Sequence, residues 1–485
     1  MTTTTMSPPF PFRPSRQAFL AGVALLALAG CSVGPDYQRP QIAAPDAWRP
    51  ADAPPSADAK PAPKPATDPW PATDWWKGFG STQLDAFIAE AESANDDLAV
   101  AVAKVREADA QAQVSGAALL PSVGLDGNGQ RDRAKNYLGV PKTGNSYSLG
   151  LSASYELDFW GKNRATAAAA IATADASRYD LATVRLTMLS DVATSYFQSL
   201  ELREQVRVAE DNLANAQSVL DGLRRQADAG IVTALDVAQQ ETTVSTLNAA
   251  VPPLRKQYRQ SVDALAILLG RMPEQIELAE GDTLASLSLP EVTPGLPSEL
   301  LARRPDVAEA ESQLIAANAN ITVARAAFFP SIDLTASGGY ASGALSKLFD
   351  PASGLFTLAA GLTQPIFEGG ALEGQYANAQ AKYDELVATY RKSVRSAFAN
   401  VEDALTAVRE TTEQLARQEQ ATATARHAYE LAQAQMAAGT ITILTVLNTE
   451  TALFTANDAL VQARFARLQA LVGLYNALGG GWRQS

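Results

Sequence analysis

The chain has 485 residues, of which 47% are hydrophobic and 19% are charged, and its formal net charge is -13 at pH 7. This acidic balance argues against a general nucleic-acid-binding protein, which would be basic. The single cysteine excludes an internal disulfide framework, and one histidine and five methionines leave few ligands for a soft transition metal. The sequence has no phosphate loop, dinucleotide glycine motif or nucleophile elbow, so we predict no enzyme, metal site or bound cofactor.

The first 30 residues are typical of a secretory signal. Arg13 and Arg16 precede an apolar stretch, residues 18–29, that is too short to span a bilayer stably. The stretch leads into Leu-Ala-Gly-Cys ending at Cys31, which resembles the lipobox of bacterial lipoproteins. We therefore predict that residues 1–30 are removed and that Cys31 carries S-diacylglycerol and N-palmitoyl chains. An ordinary signal peptide with a chance cysteine is the alternative.

The sequence after the predicted anchor indicates an outer-membrane destination and an extended tether. Ser32 follows the cysteine, where lipoproteins retained in the inner membrane of Gram-negative bacteria tend to carry an aspartate. Much of the stretch that follows is rich in Pro, Ala and Asp, which disfavours a regular helix or a central strand. We predict a lipid-anchored tether over residues 31–80, pinned to the folded body by Trp75, Trp76 and Phe79.

The rest of the chain contains one unit twice, at an offset of about 209 residues. Leu-Pro-Ser-Val ending at Val123 returns as Phe-Pro-Ser-Ile ending at Ile332. Ala-Gly-Ile-Val-Thr ending at Thr233 returns as Ala-Gly-Thr-Ile-Thr ending at Thr442. We predict two structural repeats, over residues 81–270 and 298–480. Residues 271–297 connect the two repeats, and residues 481–485 form a C-terminal tail.

Each repeat is predicted to hold the same elements in the same order. An alanine-rich helix comes first, ends before a proline and is followed by a β-hairpin. Two long helices joined by a glycine turn complete the repeat. The first of these two helices has about 65 residues and would therefore be about 100 Å long. The predicted ranges are 81–119, 121–160 and 164–270 in the first repeat, and 305–328, 330–368 and 372–479 in the second.

The strands of the hairpins are amphipathic. From Ser146 to Phe159 apolar and polar residues alternate without a break, whereas Gln364 interrupts the counterpart from Phe356 to Ile366. The first stretch reaches the roughly 9–11 residues that a membrane-crossing strand needs. A soluble sandwich is the alternative. However, four strands cannot close a barrel alone, and lipid leaves the backbone groups of an open sheet unsatisfied. We therefore predict a barrel shared by several chains.

Several motifs, in order along the chain, carry a family resemblance: Gly-Pro-Asp-Tyr at 34–37, Trp-Trp-Lys-Gly-Phe at 75–79, Arg-Arg-Pro-Asp at 303–306, Phe-Phe-Pro-Ser at 328–331 and Leu-Gly-Gly-Gly-Trp at 478–482. With Cys31, they resemble the outer membrane factors of the TolC and NodT type, close to the lipoprotein exit ducts of resistance-nodulation-division (RND) pumps. The resemblance implies an α+β membrane protein. Three chains, with four strands each, would form a 12-stranded outer-membrane β-barrel continued by a long α-helical coiled-coil periplasmic tunnel.

The resemblance also implies the function and the partners. The chain would be a homotrimeric, passive channel in the outer membrane of a Gram-negative bacterium, surrounded by outer-membrane lipid and binding no nucleic acid. It would export drugs and toxic compounds for an inner-membrane RND-type pump and a periplasmic adaptor. An exit duct for type I protein secretion or for metal ions stays open within this fold. A lipid-anchored coiled-coil scaffold without a pore is the alternative from a different class.

The resemblance places adaptor docking and the gate at the two helix turns. Some relatives carry aspartates beside the second turn, where this sequence has Thr440, Ile441 and Thr442. We therefore name Ile441 and Ile443 as candidates for an apolar constriction. The glycines suit tight reversals between antiparallel helices, whether or not they also contact the adaptor. The candidate docking residues are Gly230, Thr233, Leu235, Gly439, Thr442 and Leu444.

Overall fold

The computed structural model describes residues 33–45, 47–49, 70–135, 139, 141–292, 294–295 and 297–483. The predicted signal peptide, Cys31 and most of the Pro-rich tether lie outside the described residues. The described residues divide into two compact units. The sheet unit takes in the described residues up to residue 40 and those within 106–175 and 311–389. The helical unit takes in the described residues within 41–105, 176–310 and 390–485.

The described residues form eight α-helices and four β-strands, and the two repeats correspond element by element. The longest helix of each repeat has 67 residues and its partner has 35. No helix in these described stretches is long and apolar enough to cross a membrane. In chain order the elements are α1 (Thr82–Ala94), α2 (Asp96–Ala117), β1 (Ser122–Lys135), β2 (Pro141–Glu156), α3 (Lys162–Asp228), α4 (Ala234–Leu268), α5 (Pro297–Leu300), α6 (Pro305–Ala326), β3 (Ser331–Ser342), β4 (Gly354–Thr363), α7 (Ala371–Ala437) and α8 (Ile443–Ala477).

The first predicted helix, over residues 81–119, is in fact two helices separated at Asn95. The backbone of Asn95 is extended, with φ -67° and ψ 127°. Its Oδ1 accepts a hydrogen bond from the Leu98 backbone N–H at 3.0 Å, which caps α2. Its Nδ2 donates to the Leu268 carbonyl oxygen at 2.8 Å, at the end of α4. A single asparagine therefore replaces the lost helical bonds, and the alanine-rich composition alone does not reveal the break.

Two strands end earlier than predicted. Strand β2 ends at Glu156 and does not reach Phe159 as predicted. Asp158 caps the start of α3 and is not part of the strand. The Asp158 carboxylate accepts hydrogen bonds from the backbone N–H groups of Asn163 at 3.1 Å and Arg164 at 2.8 Å. Strand β4 covers Gly354–Thr363, so the last residues of the predicted strand are not part of the ladder.

Aromatic residues from the start of the helical unit pack in its largest hydrophobic core. Trp75, Trp76 and Phe79 are all buried there. Trp75 stacks on Tyr475 of α8, with ring centroids 4.8 Å apart, and Phe79 meets Phe197 of α3 at 5.0 Å. These contacts join the segment before α1 to one long helix from each repeat.

The first described residues of the chain contact α6 within the sheet unit. Asn318 donates its Nδ2 to the Pro35 carbonyl oxygen at 3.0 Å. Tyr37 donates its hydroxyl to Glu311 at 3.2 Å, and Arg39 forms an ion pair with the same carboxylate. This part of the predicted tether is non-helical and lies along a helix of the second repeat.

Two equivalent glycines allow close backbone contacts at the ends of α4 and α8. Gly270 has φ +69° and Gly479 has φ +84°, conformations that other residues rarely adopt. A Cβ on Gly270 would overlap the carbonyl oxygen of Ala94, and one on Gly479 would overlap the carbonyl oxygen of Arg303. Both the glycines and their partners differ by the repeat offset, so the same contact is made twice.

Replacing either glycine with alanine should destabilise the helical unit. We expect Gly270→Ala and Gly479→Ala each to lower the free energy of unfolding by more than about 1 kcal/mol, because strain and overlap act together. Thermal unfolding of the purified protein measures the change. Gly222→Ala is the matched control, since its nearest neighbour is a side-chain nitrogen of Arg225 at 4.0 Å. Equal unfolding temperatures for all three variants would contradict this explanation.

Candidate functional site

The four strands form one antiparallel sheet in chain order, β1-β2-β3-β4. Each pair keeps a single register over its whole length, without a bulge. Strand β2 of the first repeat pairs with β3 of the second, so the two hairpins are joined. The outer edges of β1 and β4 carry no further strand in the described part of the chain.

The register brings the apolar residues of all four strands to one face of the sheet. Residues directly opposite in an antiparallel pair point to the same side, and Leu151 lies opposite both Leu125 and Gly338. Many of these side chains are exposed in the single chain, Phe356 by 81% and Leu358 by 75%, while others, such as Tyr147 and Ile332, are half-buried. A continuous apolar face of this kind marks contact with lipid or protein. Its members are Val123, Leu125, Tyr147, Leu149, Leu151, Ala153, Tyr155, Ile332, Leu334, Ala336, Tyr340, Phe356, Leu358, Ala360 and Leu362.

The opposite face of the sheet is polar. Ser152 donates its hydroxyl to Asp126 at 2.8 Å, and the hydroxyls of Ser122 and Ser154 are 2.8 Å apart. Asp333 and Glu156 face each other across β2 and β3. Side chains of this kind suit contact with water on the inside of a barrel.

Two tyrosines mark the limits of the apolar face on β2. Tyr147 and Tyr155 lie on the same side, eight residues apart, which corresponds to about 27 Å along a strand. A tilt of about 40° reduces this to about 20 Å. This height approaches the roughly 25 Å apolar band, flanked by aromatic residues, of outer-membrane barrels.

The first helix turn reverses the chain between α3 and α4 and is tightly capped. Gly230 has φ +77°, and its N–H donates to the Ala227 carbonyl oxygen at 2.9 Å. The Thr233 hydroxyl accepts from the Asp236 N–H, while the Asp236 carboxylate accepts from the Thr233 N–H at 2.8 Å. The Thr233 hydroxyl also donates to the Asp236 carboxylate at 2.7 Å, and this bond, together with the one from the Thr233 N–H, lowers the pKa of Asp236. Leu235 is 66% exposed beside this cap.

The second turn has the same backbone path but lacks the side-chain cap. Gly439 has φ +73°, and its N–H donates to the Met436 carbonyl oxygen at 2.9 Å. Thr442 occupies the N-cap position of α8, yet its hydroxyl forms no capping hydrogen bond. Leu444 is 55% exposed, like its counterpart in the first repeat.

A hydrophobic cluster joins the two helix hairpins near their turns. Leu223 of α3 packs there with Tyr429 of α7 and with Ile443 and Val446 of α8. Ile443 is only 6% exposed and lies inside the cluster, where it cannot line an aperture in this conformation. Ile441 lies at the margin of the cluster and is half-buried. Ile441 and Ile443 therefore differ in burial, although the sequence gave no reason to distinguish them.

Glu450 of α8 is a buried carboxyl that the sequence did not single out. It is 1% exposed, and in the described part of the chain neither of its oxygens has a well-formed hydrogen bond. Burial raises its pKa to about 7, with the Tyr429 hydroxyl acting in the opposite direction. Its counterpart Glu241 is exposed and pairs with Arg224 at 2.8 Å. The repeat showed that both positions hold glutamate, but gave no sign that their surroundings differ.

Comparison with known proteins identifies the class to which this fold and sheet belong. The sequence model of the family described as "Outer membrane efflux protein" matches residues 87–271 and 296–480, one match in each repeat. The chain is 42% identical over 468 residues to the pyoverdine export outer membrane protein OpmQ of Pseudomonas aeruginosa, covering 95% of this chain and 96% of that protein. It is 34% identical over 466 residues to the cation efflux system protein CusC of Escherichia coli, covering 95% and 97%.

Solved structures agree with the sequence comparisons. A CusC structure superposes with a TM-score of 0.82 at 31% identity, covering 93% of this chain and all of that one. The open-state MtrE outer membrane channel of Neisseria gonorrhoeae gives 0.81 at 28% identity, covering 93% and 98%. The fold is that of outer-membrane efflux channels.

The chain belongs to the outer membrane efflux protein family. The predicted family, fold class, efflux-channel function and outer-membrane location are thereby confirmed. The family and the relatives are transport proteins.

The capping difference between the two turns predicts unequal effects of one substitution. Thr233→Ala removes the side-chain cap and should cost about 1 kcal/mol of local helix stability. Amide hydrogen exchange in the first turn of α4 should become faster by about fivefold. Thr442→Ala is the matched control and should change exchange in α8 little, because its hydroxyl makes no cap. Equal effects at both turns would show that the capping box contributes nothing.

The buried Glu450 predicts a pH-dependent loosening of the hairpins. Its folded-state pKa of about 7 exceeds the ordinary 4.5, so its contribution to stability is fully present below about 4.5 and is lost as pH rises through 7. The loss is on the order of 3 kcal/mol, from about 1.4 kcal/mol per pKa unit. Amide exchange over residues 436–450, corrected for intrinsic rates, should be faster at pH 8 than at pH 5.

Two variants separate this effect from general pH sensitivity. Glu450→Gln should abolish the pH-dependent change, because the amide has no proton to lose in this range. Glu241→Gln should preserve it, because Glu241 is exposed in the equivalent place of the first repeat. An unchanged pH response in Glu450→Gln would assign the effect to another group.

Proposed function

We propose that three copies of the chain close their sheets into one 12-stranded barrel and form the outer-membrane exit duct of a tripartite efflux system. The observation that carries this proposal is the register of the sheet, which puts apolar residues on one face and polar residues on the other. In lipid, the edge groups of β1 and β4 need partners. Pairing β4 of one copy with β1 of the next supplies them.

The long helices continue the duct on the side where they join the strands. Helices α3 and α7, with 67 residues each, would extend about 100 Å at 1.5 Å per residue. This length suits a conduit through the periplasm. The channel is passive, and an inner-membrane RND-type pump supplies the energy through a periplasmic adaptor.

The two helix turns are the docking surface for that adaptor. Leu235 and Leu444 are exposed at equivalent places, and Ile231 beside the first turn is 72% exposed. Exposed apolar side chains beside the glycine turns suit a protein partner. Thr233 and Thr442 precede these leucines, and Gly230 and Gly439 set the direction of the chain. Ile441, at the margin of the cluster, lines the closed aperture.

The lipid anchor is attached at Cys31. Residues 33–40 follow the anchor, and Asn318 and Glu311 of α6 bind Pro35, Tyr37 and Arg39 of this segment. Several acyl chains make such an anchor effectively permanent. The anchor adds membrane attachment to that of the barrel.

The exported compounds are small organic molecules, including drugs and toxic compounds. The 42% identity with a protein named for pyoverdine export favours this class over metal ions, because the relative named for cation efflux is less similar, at 34%. Pyoverdine is therefore the first substrate to examine.

Conductance of the purified protein tests the proposal. The detergent-extracted protein should have the mass of a trimer and give discrete conductance steps in a planar bilayer. Ile441→Asp should raise the open fraction, because repelling carboxylates would replace an apolar contact. Leu444→Asp, on the exposed side of the same turn, is the matched control. A monomer without conductance would contradict the shared barrel and favour a scaffold.

A further inference from the structure

Three basic side chains continue the apolar face of β1 beyond its apolar part. Arg131, Arg133 and Lys135 are exposed and follow the same alternation as Val123 and Leu125, so they lie on the same face. The register of β1 with β2 is constant over the whole strand, without a bulge that would turn them to the polar face. We call these three residues the basic stripe.

The basic stripe lies next to Tyr147, the aromatic residue at one end of the apolar face. Tyr147 lies opposite Gly129, and the next pair on the same face, away from the helices, is Asn145 opposite Arg131. In outer-membrane barrels, aromatic residues lie at the boundary between hydrocarbon and lipid headgroups. The stripe therefore lies at headgroup level, at the end of the sheet opposite the helices.

No acidic side chain in the described part of the chain neutralises the stripe. The residues opposite it on β2 are Asn145, Thr143 and Pro141, all uncharged. Asp132 points to the other face, where it accepts a hydrogen bond from Gln130 at 2.8 Å. Among the described residues the stripe forms no ion pair. Three positive charges thus lie together on a chain whose net charge is -13.

We propose that the basic stripe binds the phosphate groups of an anionic glycolipid in the outer leaflet of the outer membrane. The proposal rests on the proposed function, because the stripe faces lipid only in a closed barrel. The guanidinium groups of Arg131 and Arg133 match phosphate oxygens in a bidentate geometry, and Lys135 adds a compact charge. The adjoining apolar face receives the acyl chains of the same lipid. This continuity favours a lipid over a soluble anion.

Lipid binding to the intact trimer tests the proposal. Native mass spectrometry of the full-length protein in neutral detergent would follow titration with bisphosphorylated lipid A, its dephosphorylated form, phosphatidylethanolamine and inorganic phosphate. The parent should bind the bisphosphorylated lipid most tightly. Arg131→Gln/Arg133→Gln/Lys135→Gln should weaken that binding on the order of a hundredfold, from about fivefold per charge near an anionic lipid.

Lys142→Gln is the matched control and should change lipid binding by less than about twofold. Lys142 lies on the same hairpin but pairs with Ala134, on the polar face. It should be compared with Arg133→Gln, which also removes one charge and should weaken binding about fivefold. Equal losses in these two single variants would show that only the overall charge matters and would overturn the assignment to one face.

Two other results would overturn the proposal. The triple variant could bind the bisphosphorylated lipid as tightly as the parent, or inorganic phosphate could compete at the same concentration as the lipid. The mass and the conductance of every variant distinguish this failure from failure of the proposed function. If the triple variant is a conducting trimer that binds the lipid as tightly as the parent, only the proposal for the basic stripe is wrong. If the parent forms no trimer, both proposals are wrong.

Discussion

Backbone hydrogen bonding at the edges of the sheet is the constraint on which the rest of the structure depends. Strands β1 and β4 each have one side without a partner strand in the described sheet, while their apolar residues form a face suited to lipid. Water would satisfy such edges, but hydrocarbon does not, and each unpaired group there costs several kcal/mol. A four-stranded sheet with this face therefore requires further copies, since four strands are too few to close.

The duplication gives this constraint a simple solution. Each repeat supplies one hairpin and one pair of long helices, and β2 with β3 joins the two hairpins into a single sheet. Gly270 and Gly479 make the same close backbone contact at the ends of α4 and α8. The repeats differ at and near the two helix turns. The first turn has a capping box and the second has none, and one glutamate is exposed while its counterpart is buried.

The sequence predicted the parts of the fold that follow from periodicity and repetition. Alternation over Ser146–Glu156 identified β2, and the glycine turns located the ends of α3 and α7 correctly within a residue or two. It did not predict the break at Asn95, because a side chain that replaces helical hydrogen bonds leaves no mark in composition. The predicted end of β2 was wrong for a related reason. Asp158 caps the start of α3, although it continues the alternation of polar and apolar residues in the sequence.

The candidate site was predictable in position but less so in detail. Both turns were evident from Gly230 and Gly439, whose positive φ values close the reversals. Ile441 and Ile443 looked equivalent, and only packing against Leu223 and Tyr429 separates them. Burial depends on contacts between helices far apart in the chain, and periodicity within one helix does not reveal these contacts. Glu450 was not recognised for the same reason.

Covalent cross-linking between copies tests the central claim, closure of the sheet through its edges, most directly. One cysteine would be placed on the apolar face of β1, at Leu125, and a second on β4, scanned over Phe356, Leu358 and Ala360. For the pair in register, oxidation in the membrane should convert monomers into covalent trimers and nothing larger, because a closed ring leaves no free edge. A ladder of ever larger species, or monomers at every position scanned, would contradict closure by three copies.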